Sequence, residues 1–277
     1  MLKKLLKYDF NAIFKYWWIG ALTTFILSFI GGWCGSVYES PKDLPDSVYV
    51  FATIGLVITV LSFAAFVIMT VLLVYIRFYK HLFSDEGYLT FTLPVKRNQL
   101  LNSKLVSGGF ATFSTVLVTA INVLIIVLIT NKRYISVHGW FNEEIIASIN
   151  DFFKTYGTFN AVVGIIEILF IVVLTTILAT LFAYLCITIG AIISKKAKLA
   201  STIGIYYGAS VIITIFMYIF YFFGFESLND WITDLPENQE FAIFPLILLL
   251  AIFTILMICL VTYTLINWLI DRKLNLN

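Results

Sequence analysis

The sequence predicts an all-α integral membrane protein with six transmembrane helices. Of its 277 residues, 61% are hydrophobic and 12% are charged, and the mean hydropathy is +0.97. A soluble domain carries roughly 25% charged residues. The apolar residues form continuous runs of about 20 or more, the length that a helix needs to cross a bilayer. Strands are disfavoured because these runs do not alternate in polarity, and a lipid environment requires every backbone group to be paired.

Six apolar runs follow one another along the chain. They lie at 17–37, 50–76, 105–130, 161–189, 202–223 and 244–268. No internal repeat or low-complexity linker separates them, so we predict one membrane domain over residues 1–277. Outside the spans this domain has an N-terminal segment, an inner loop and two outer segments, at 1–16, 77–104, 131–160 and 225–243.

The distribution of positive charge predicts the orientation of the chain. Of the 18 Lys and Arg residues, 14 lie on the side that carries both termini and 4 lie on the other side. Four acids lie on the terminal side, eleven lie on the opposite side, and Glu167 lies within a span. Because cytoplasmic loops are rich in Lys and Arg, we predict that the protein lies in the cell membrane with both termini on the cytoplasmic side. This pattern requires no nucleic-acid partner.

The first sixteen residues predict an amphipathic helix at the inner membrane surface. The apolar residues recur at helical spacing: Leu2, Leu5, Leu6, Phe10, Ile13, Phe14 and Trp17. The polar residues cover the other side: Lys3, Lys4, Lys7, Asp9, Asn11 and Lys15. Such a helix lies in the interface; a basic flank that only sets topology is the alternative. Signal-peptide cleavage is not expected, because the run is long enough to span and no small-x-small site follows.

The outer segments and two glycine pairs predict further structure. Asn142-Glu143-Glu144 is typical of a helix start, and an apolar stripe from Ile145 to Tyr156 predicts a short helix that lies on the outer surface or folds back on the bundle. Residues 225–243 contain five acids and no base. The pairs Gly31-x-x-x-Gly35 and Gly204-x-x-x-Gly208 would let helices approach closely. Packing within one subunit and dimerisation explain these pairs equally well.

The sequence offers little support for catalysis. Its two histidines, His81 and His138, fall on opposite sides of the predicted membrane, and the motifs of zinc hydrolases and serine hydrolases are missing. No Gly-x-x-x-x-Gly-Lys-Ser/Thr loop is present, so ATP would have to bind a partner. The three cysteines have no metal-like spacing. Glu167 is the one carboxylate within a span, and either lines a solute path or reaches the outer headgroups.

The inner loop at 77–104 is the most informative polar segment. Arg77 to Phe83 continues the second span as a helix, and Asp85-Glu86-Gly87 supplies charge and a helix stop. Tyr88 to Thr92 favours an extended chain, and Pro94 prevents a simple helical continuation. We expect a short, stiff segment that docks a soluble partner and transmits force into two spans. A plain positive-inside loop is the alternative.

Two stretches resemble ABC-2 type permease subunits of low-GC Gram-positive bacteria. They are residues 1–10 (MLKKLLKYDF) and 77–95 (RFYKHLFSDEGYLTFTLPV). The resemblance implies a half-transporter that pairs with a separate P-loop ATPase and with a second permease, the same or a homologous chain. ATP and Mg would then be bound by the ATPase, and this chain would hold no cofactor. Many relatives export antimicrobial peptides, drugs, lipids or polysaccharides.

The resemblance also assigns parts of the chain. The family's interfacial helix maps onto Leu2 to Tyr16, its coupling helix onto Tyr79 to Gly87, and its outer connector onto Phe225 to Phe241. The residues expected to couple to the ATPase are Tyr79, Leu82, Phe83, Asp85, Glu86, Gly87 and Tyr88. Glu167 is the candidate for the translocation path, and neither catalytic nor metal-binding residues are expected.

Three other functions remain as alternatives. A solute-binding membrane subunit that borrows an ATPase for uptake would bind a small molecule tightly when purified alone. A membrane scaffold or sensor would bind a soluble partner without nucleotide turnover. An intramembrane enzyme would need paired catalytic groups near one depth, and the sequence does not supply them.

Overall fold

Six long helices make up most of the described part of the chain. The structure, a computed structural model, describes residues 2–38, 44–84, 97–131, 147, 150–151, 153–154, 157–194, 198–233 and 237–273. The helices are α1 (Leu2–Tyr38), α2 (Asp46–Phe83), α3 (Arg97–Thr130), α4 (Thr158–Ile193), α5 (Lys198–Thr233) and α6 (Glu237–Lys273). Each contains a stretch long enough and apolar enough to cross a membrane. The prediction of six apolar helices in an all-α protein is confirmed at this level.

The helices extend beyond the apolar runs that predicted them. Each has 34 to 38 residues, which at 1.5 Å per residue is about 50 Å or more. A bilayer with its headgroups is about 40–45 Å thick, so these helices are longer than a membrane requires. Hydropathy detects the lipid-soluble part of a helix, whereas the backbone hydrogen bonding continues into its polar flanks.

In the structure, helices continue into two segments that the sequence analysis placed outside the spans. The predicted interfacial segment 1–16 and the first span form one continuous helix, α1. The predicted outer segment 225–243 is helical over 225–233 and 237–243, because α5 and α6 continue into it. The position of α1 relative to a membrane surface stays a prediction. Most of the helix predicted over 142–156 lies outside the described residues.

The chain separates into two compact units. The first unit comprises residues 1–77 and 102–148, and the second comprises 78–101 and 149–277. The first unit therefore contains α1, α2 up to Arg77 and α3 from Asn102 onward. The second contains α4, α5 and α6 together with residues 78–101. The prediction of one membrane domain stays a prediction, since this division follows contacts alone.

The first unit is built on a narrow buried stripe of α1. Trp17 and Ala21 are buried against Phe66 of α2, and Phe14 packs on the same cluster. Glycines allow this close approach: a Cβ atom added to Gly20 would lie 2.6 Å from Phe66, and one added to Gly31 would lie 2.8 Å from Thr59. Small residues at helix interfaces have this role in membrane proteins.

The second unit is built around α4, which packs against both α5 and α6. The rings of Phe182 and Tyr206 pack 5.6 Å apart, and the Ser201 hydroxyl donates to the Gly190 carbonyl at 2.7 Å. These pairs show that α4 and α5 run antiparallel. The end of α5 and the start of α6 therefore lie toward the end of this unit at which α4 begins.

Candidate functional site

A buried charge cluster joins the three helices of the first unit. Asp9 of α1 lies between Arg77 of α2 and Lys104 of α3. The Arg77 Nε and Nη2 atoms are each 3.0 Å from Asp9 Oδ1, and the Lys104 ammonium donates to the same oxygen. The Ser103 hydroxyl donates to Asp9 Oδ2 at 3.1 Å. One carboxylate thus accepts hydrogen bonds from three side chains on two other helices.

Burial makes this cluster consequential for stability. The Asp9 and Lys104 side chains are 3% and 6% exposed, and Arg77 is 20% exposed. Buried charges are tolerated when they are paired and hydrogen-bonded, and removing one partner of such a pair costs about 3–5 kcal/mol. Arg77 Nη2 also donates to the Tyr8 carbonyl at 3.2 Å, which fixes the guanidinium against the α1 backbone.

The cluster ties together the two ends of the predicted inner loop. Arg77 and Lys104 are the residues at which the segment 77–104 begins and ends, and both contact Asp9. The N-terminal part of α1, the end of α2 and the start of α3 therefore meet at one end of the first unit. A displacement of this loop would act on three helices whose side chains meet at the Asp9 carboxylate.

The sequence interpretation of Asp9 was wrong. It placed Asp9 on the polar face of the N-terminal helix, but Asp9 is buried. A signal was present in the spacing, because Asp9 precedes the buried residues Ile13, Trp17 and Ala21 by steps of four. The sequence interpretation assigned Asp9 to the polar face because it is charged, in spite of this spacing. A carboxylate can occupy the buried stripe because side chains of α2 and α3 donate hydrogen bonds to it.

The distance along α1 places the cluster one membrane thickness from an aromatic pair. Asp9 and Tyr38 are about 44 Å apart along the helix at 1.5 Å per residue. Tyr38 packs against Tyr49 at 5.7 Å between ring centroids, and its hydroxyl donates to the Tyr49 carbonyl at 3.3 Å. Tyrosine is enriched at both membrane–water interfaces. This spacing is similar to the thickness of a bilayer with its headgroups, about 40–45 Å.

Polar contacts continue from the charge cluster along the helices of the first unit. The Trp17 indole donates to the Thr115 hydroxyl at 2.8 Å, and that hydroxyl donates to Thr70 at 3.1 Å. Farther along, the Asn122 amide donates to Thr24 at 3.2 Å. We call Trp17, Thr24, Thr70, Thr115 and Asn122 the polar seam. In an apolar environment such bonds fix how helices are aligned with one another.

The predicted coupling residues fall partly within the described chain. Leu82 and Phe83 are buried and Tyr79 is half-buried. The ring centroid of Phe83 lies 5.9 Å from that of Phe78 and 6.5 Å from that of Tyr79. The end of α2 is thus a packed aromatic turn. Asp85, Glu86, Gly87 and Tyr88 lie outside the described residues, and the coupling role of all seven residues stays a prediction.

Phe78 anchors this turn in the second unit. Its ring is fully buried and stacks on Tyr184 of α4, with centroids 3.8 Å apart and planes inclined by 5°. Stacked aromatic pairs contribute roughly 0.5–1.5 kcal/mol beyond their buried area. The sequence predicted only that Arg77 to Phe83 is helical, because residues more than a hundred positions apart show no local pattern that would pair them.

Glu167 occupies a different kind of site on α4. The residue is partly exposed, but its Oε2 atom is enclosed and has no hydrogen-bond partner among the described residues. A polar atom enclosed without a partner is unfavourable by roughly 1–3 kcal/mol, and more when it is charged. Glu167 therefore presents an acceptor that the described chain leaves unsatisfied.

Comparisons of this chain with family models, curated proteins and solved structures find no match. In the part of the chain that the structure describes, His, Cys, Asp and Glu side chains form no group of three that would hold a metal ion.

Proposed function

We propose that this chain is the membrane subunit of an ATP-driven exporter. It would form the translocation path in the cell membrane and receive its energy from a separate P-loop ATPase that contacts the inner loop. The proposal extends the resemblance of residues 1–10 and 77–95 to ABC-2 type permeases. The six apolar helices are compatible with this function.

The charge cluster is the observation that carries the proposal. A partner that pushes on the loop between α2 and α3 needs a rigid connection to the helices. Arg77 and Lys104 bound that loop, and both are held by Asp9. Force applied to the loop would therefore act on α1, α2 and α3 together in the first unit. A simple connector has no need for a buried carboxylate that accepts from both of its ends.

The aromatic turn offers a second route for the same force. Residues 78–83 belong to the second unit, where Phe78 stacks on Tyr184 in α4. A displacement of the loop would act on α4 through this stack. Since α4 packs against α5 and α6, the displacement would reach the helix that carries Glu167. ATP binding in the partner would thus be able to change the surroundings of the proposed path.

The experiment is affinity purification of the tagged chain from its native membrane under mild conditions. Co-purifying chains are identified by mass spectrometry, and the ATPase activity of the eluate is measured. We expect a stoichiometric P-loop ATPase whose turnover depends on this chain. A matched pair of double variants locates the contact: Asp85→Arg with Glu86→Arg in the inner loop, and Asp43→Arg with Asp46→Arg near the opposite end of α2.

The two variants make the same change in charge at different places. The inner-loop pair is expected to abolish co-purification, and the other pair is expected to leave it unchanged. Equal retention of the ATPase by both variants would remove the docking assignment. An eluate with a soluble partner but no nucleotide hydrolysis would instead favour a membrane scaffold.

A further inference from the structure

The carboxyl group of Glu167 lies in an apolar stretch of α4, where the described residues leave one of its oxygens without a donor. The residues on either side in sequence, Ile166 and Ile168, are exposed apolar side chains. Glu167 Oε2 is enclosed, with no hydrogen-bond partner among the described residues. An ionised carboxylate in such surroundings is costly unless a positive charge or a hydrogen-bond donor reaches it.

The two carboxylates Asp9 and Glu167 differ in this respect, although Asn122 Oδ1 in the polar seam also has no hydrogen-bond partner among the described residues. Asp9 accepts from two cationic side chains and one hydroxyl. Both residues carry the same functional group within long helices, yet the described chain supplies donors to only one of them. A group that is already paired has little to offer a ligand, whereas an unpaired acceptor stays available to one.

The sequence around the same end of the second unit is acidic. The end of α5 and the start of α6 lie toward the end at which α4 begins, and Glu167 is ten residues into α4. Residues 225–243 at that connection contain five acids and no Lys, Arg or His. The sequence that joins α5 to α6 is therefore acidic, and acidic segments attract cations.

We infer that Glu167 binds the ammonium group of an amphiphilic organic cation, whose apolar part lies against the exposed apolar side chains of α4. The inference deepens the proposed function, because it names the substrate class of the exporter. Glu167 is partly exposed, so an ammonium group can approach the carboxyl group from the side of α4 that its neighbours do not cover. An ammonium group supplies both the charge and the donor that the carboxyl group lacks.

The test uses the full-length chain in lipid nanodiscs and needs no ATPase. The probe is dansylcadaverine, which has a primary ammonium group and an apolar fluorophore, and its N-acetyl derivative is the neutral match. Binding is measured by fluorescence anisotropy. We expect the cationic probe to bind, and Glu167→Gln to raise its Kd about tenfold or more, as loss of a charge-assisted hydrogen bond would. The neutral probe should bind weakly to both proteins.

Two further variants keep the result interpretable. Glu167→Asp preserves the charge and should retain most of the binding, while Asp46→Asn removes an exposed carboxylate at the start of α2 and should leave binding unchanged. Monodisperse elution of each variant checks its folding. Equal Kd values for the wild type and Glu167→Gln would overturn the inference, as would equal binding of the neutral probe.

Three outcomes separate this inference from its alternatives. Displacement of the probe by sodium chloride, but not by choline chloride at the same ionic strength, would overturn it in favour of an inorganic cation. Glu167-dependent binding in a chain that co-purifies with no ATPase would support the cation site and remove the exporter function. Co-purification of an ATPase without Glu167-dependent binding would support the exporter function and overturn the cation site.

Discussion

The first and second units hold their helices together in different ways. In the first unit, α1 is joined to α2 and α3 by a buried ion cluster and by the polar seam. In the second unit, the contacts include ring stacking, the close approach of α5 to Gly190 and the hydrogen bond from Ser201 to the Gly190 carbonyl. The two candidate carboxylates follow this difference, because Asp9 is saturated with donors and Glu167 has none among the described residues.

This difference separates structural polar groups from available ones. A polar side chain that is satisfied by its neighbours stabilises the arrangement of helices, and its removal should damage folding. A polar side chain that lacks a partner contributes little to folding, and its removal should affect binding instead. Both occur as carboxylates in helices of similar length, 37 and 36 residues, so neither helix length nor the functional group distinguishes them.

The strongest challenge to this comparison is removal of the charge at the saturated site. Asp9→Asn should lower the free energy of unfolding by about 3 kcal/mol or more, because Arg77 and Lys104 lose their shared carboxylate. Thermal melting in detergent, followed by tryptophan fluorescence, measures the change. Asp46→Asn is the matched control, since Asp46 is exposed. An equal effect of the two substitutions would show that the cluster contributes nothing to stability.

A second prediction concerns the aromatic stack of the second unit. Phe78→Ala should lower the free energy of unfolding by about 3 kcal/mol, because a fully buried ring leaves a cavity beside Tyr184. Phe216→Ala serves as the control, since the Phe216 side chain is 68% exposed. The same melting assay applies. Similar melting temperatures for Phe78→Ala and wild type would mean that the stack does not anchor the end of α2.

The third prediction compares two glycines within the second unit. A Cβ atom at Gly190 would lie 2.6 Å from the Thr202 Cα atom, whereas one at Gly204 would meet nothing within 4 Å. Gly190→Ala should therefore lower the free energy of unfolding by about 1–3 kcal/mol, since backbone cannot move aside easily. Gly204→Ala should be neutral or should stabilise α5 by up to about 1 kcal/mol. Equal effects would contradict the close approach of α5 to α4.

The smallest expected effect comes from one hydroxyl of the polar seam. Thr115→Val removes the acceptor of the Trp17 indole and the donor to Thr70, while the volume stays similar. Interhelical hydrogen bonds in membrane proteins contribute about 0.6 kcal/mol on average, so the loss should be about 1 kcal/mol. Thr264→Val is the control, because Thr264 is exposed and bonds only to Val261 of its own helix. An unchanged free energy of unfolding in Thr115→Val would show that the hydrogen bonds of the polar seam do not stabilise the protein.

The glycine pairs show how far sequence patterns reach. Both pairs have the same spacing, and the sequence left packing within one subunit and dimerisation equally open. In the structure, Gly31 faces Thr59, whereas Gly204 and Gly208 have no neighbour within 4 Å of an added Cβ atom. The first pair therefore packs within the chain. The motif describes what a helix surface permits, and the position of the next helix decides whether that surface is used.

The sequence by itself determined the class of this protein, its six helices and the singular character of Glu167, because each follows from local composition. The number of consecutive apolar residues sets the length of a span. Counting the acids within the six predicted spans finds Glu167 alone. Only the tertiary structure decided which polar groups are satisfied. Asp9 meets Arg77 and Lys104 across 68 and 95 residues of chain, and Phe78 meets Tyr184. Such partners depend on how helices pack, since hydrogen bonds and ring contacts act over a few ångströms in space and leave no periodic trace along the chain.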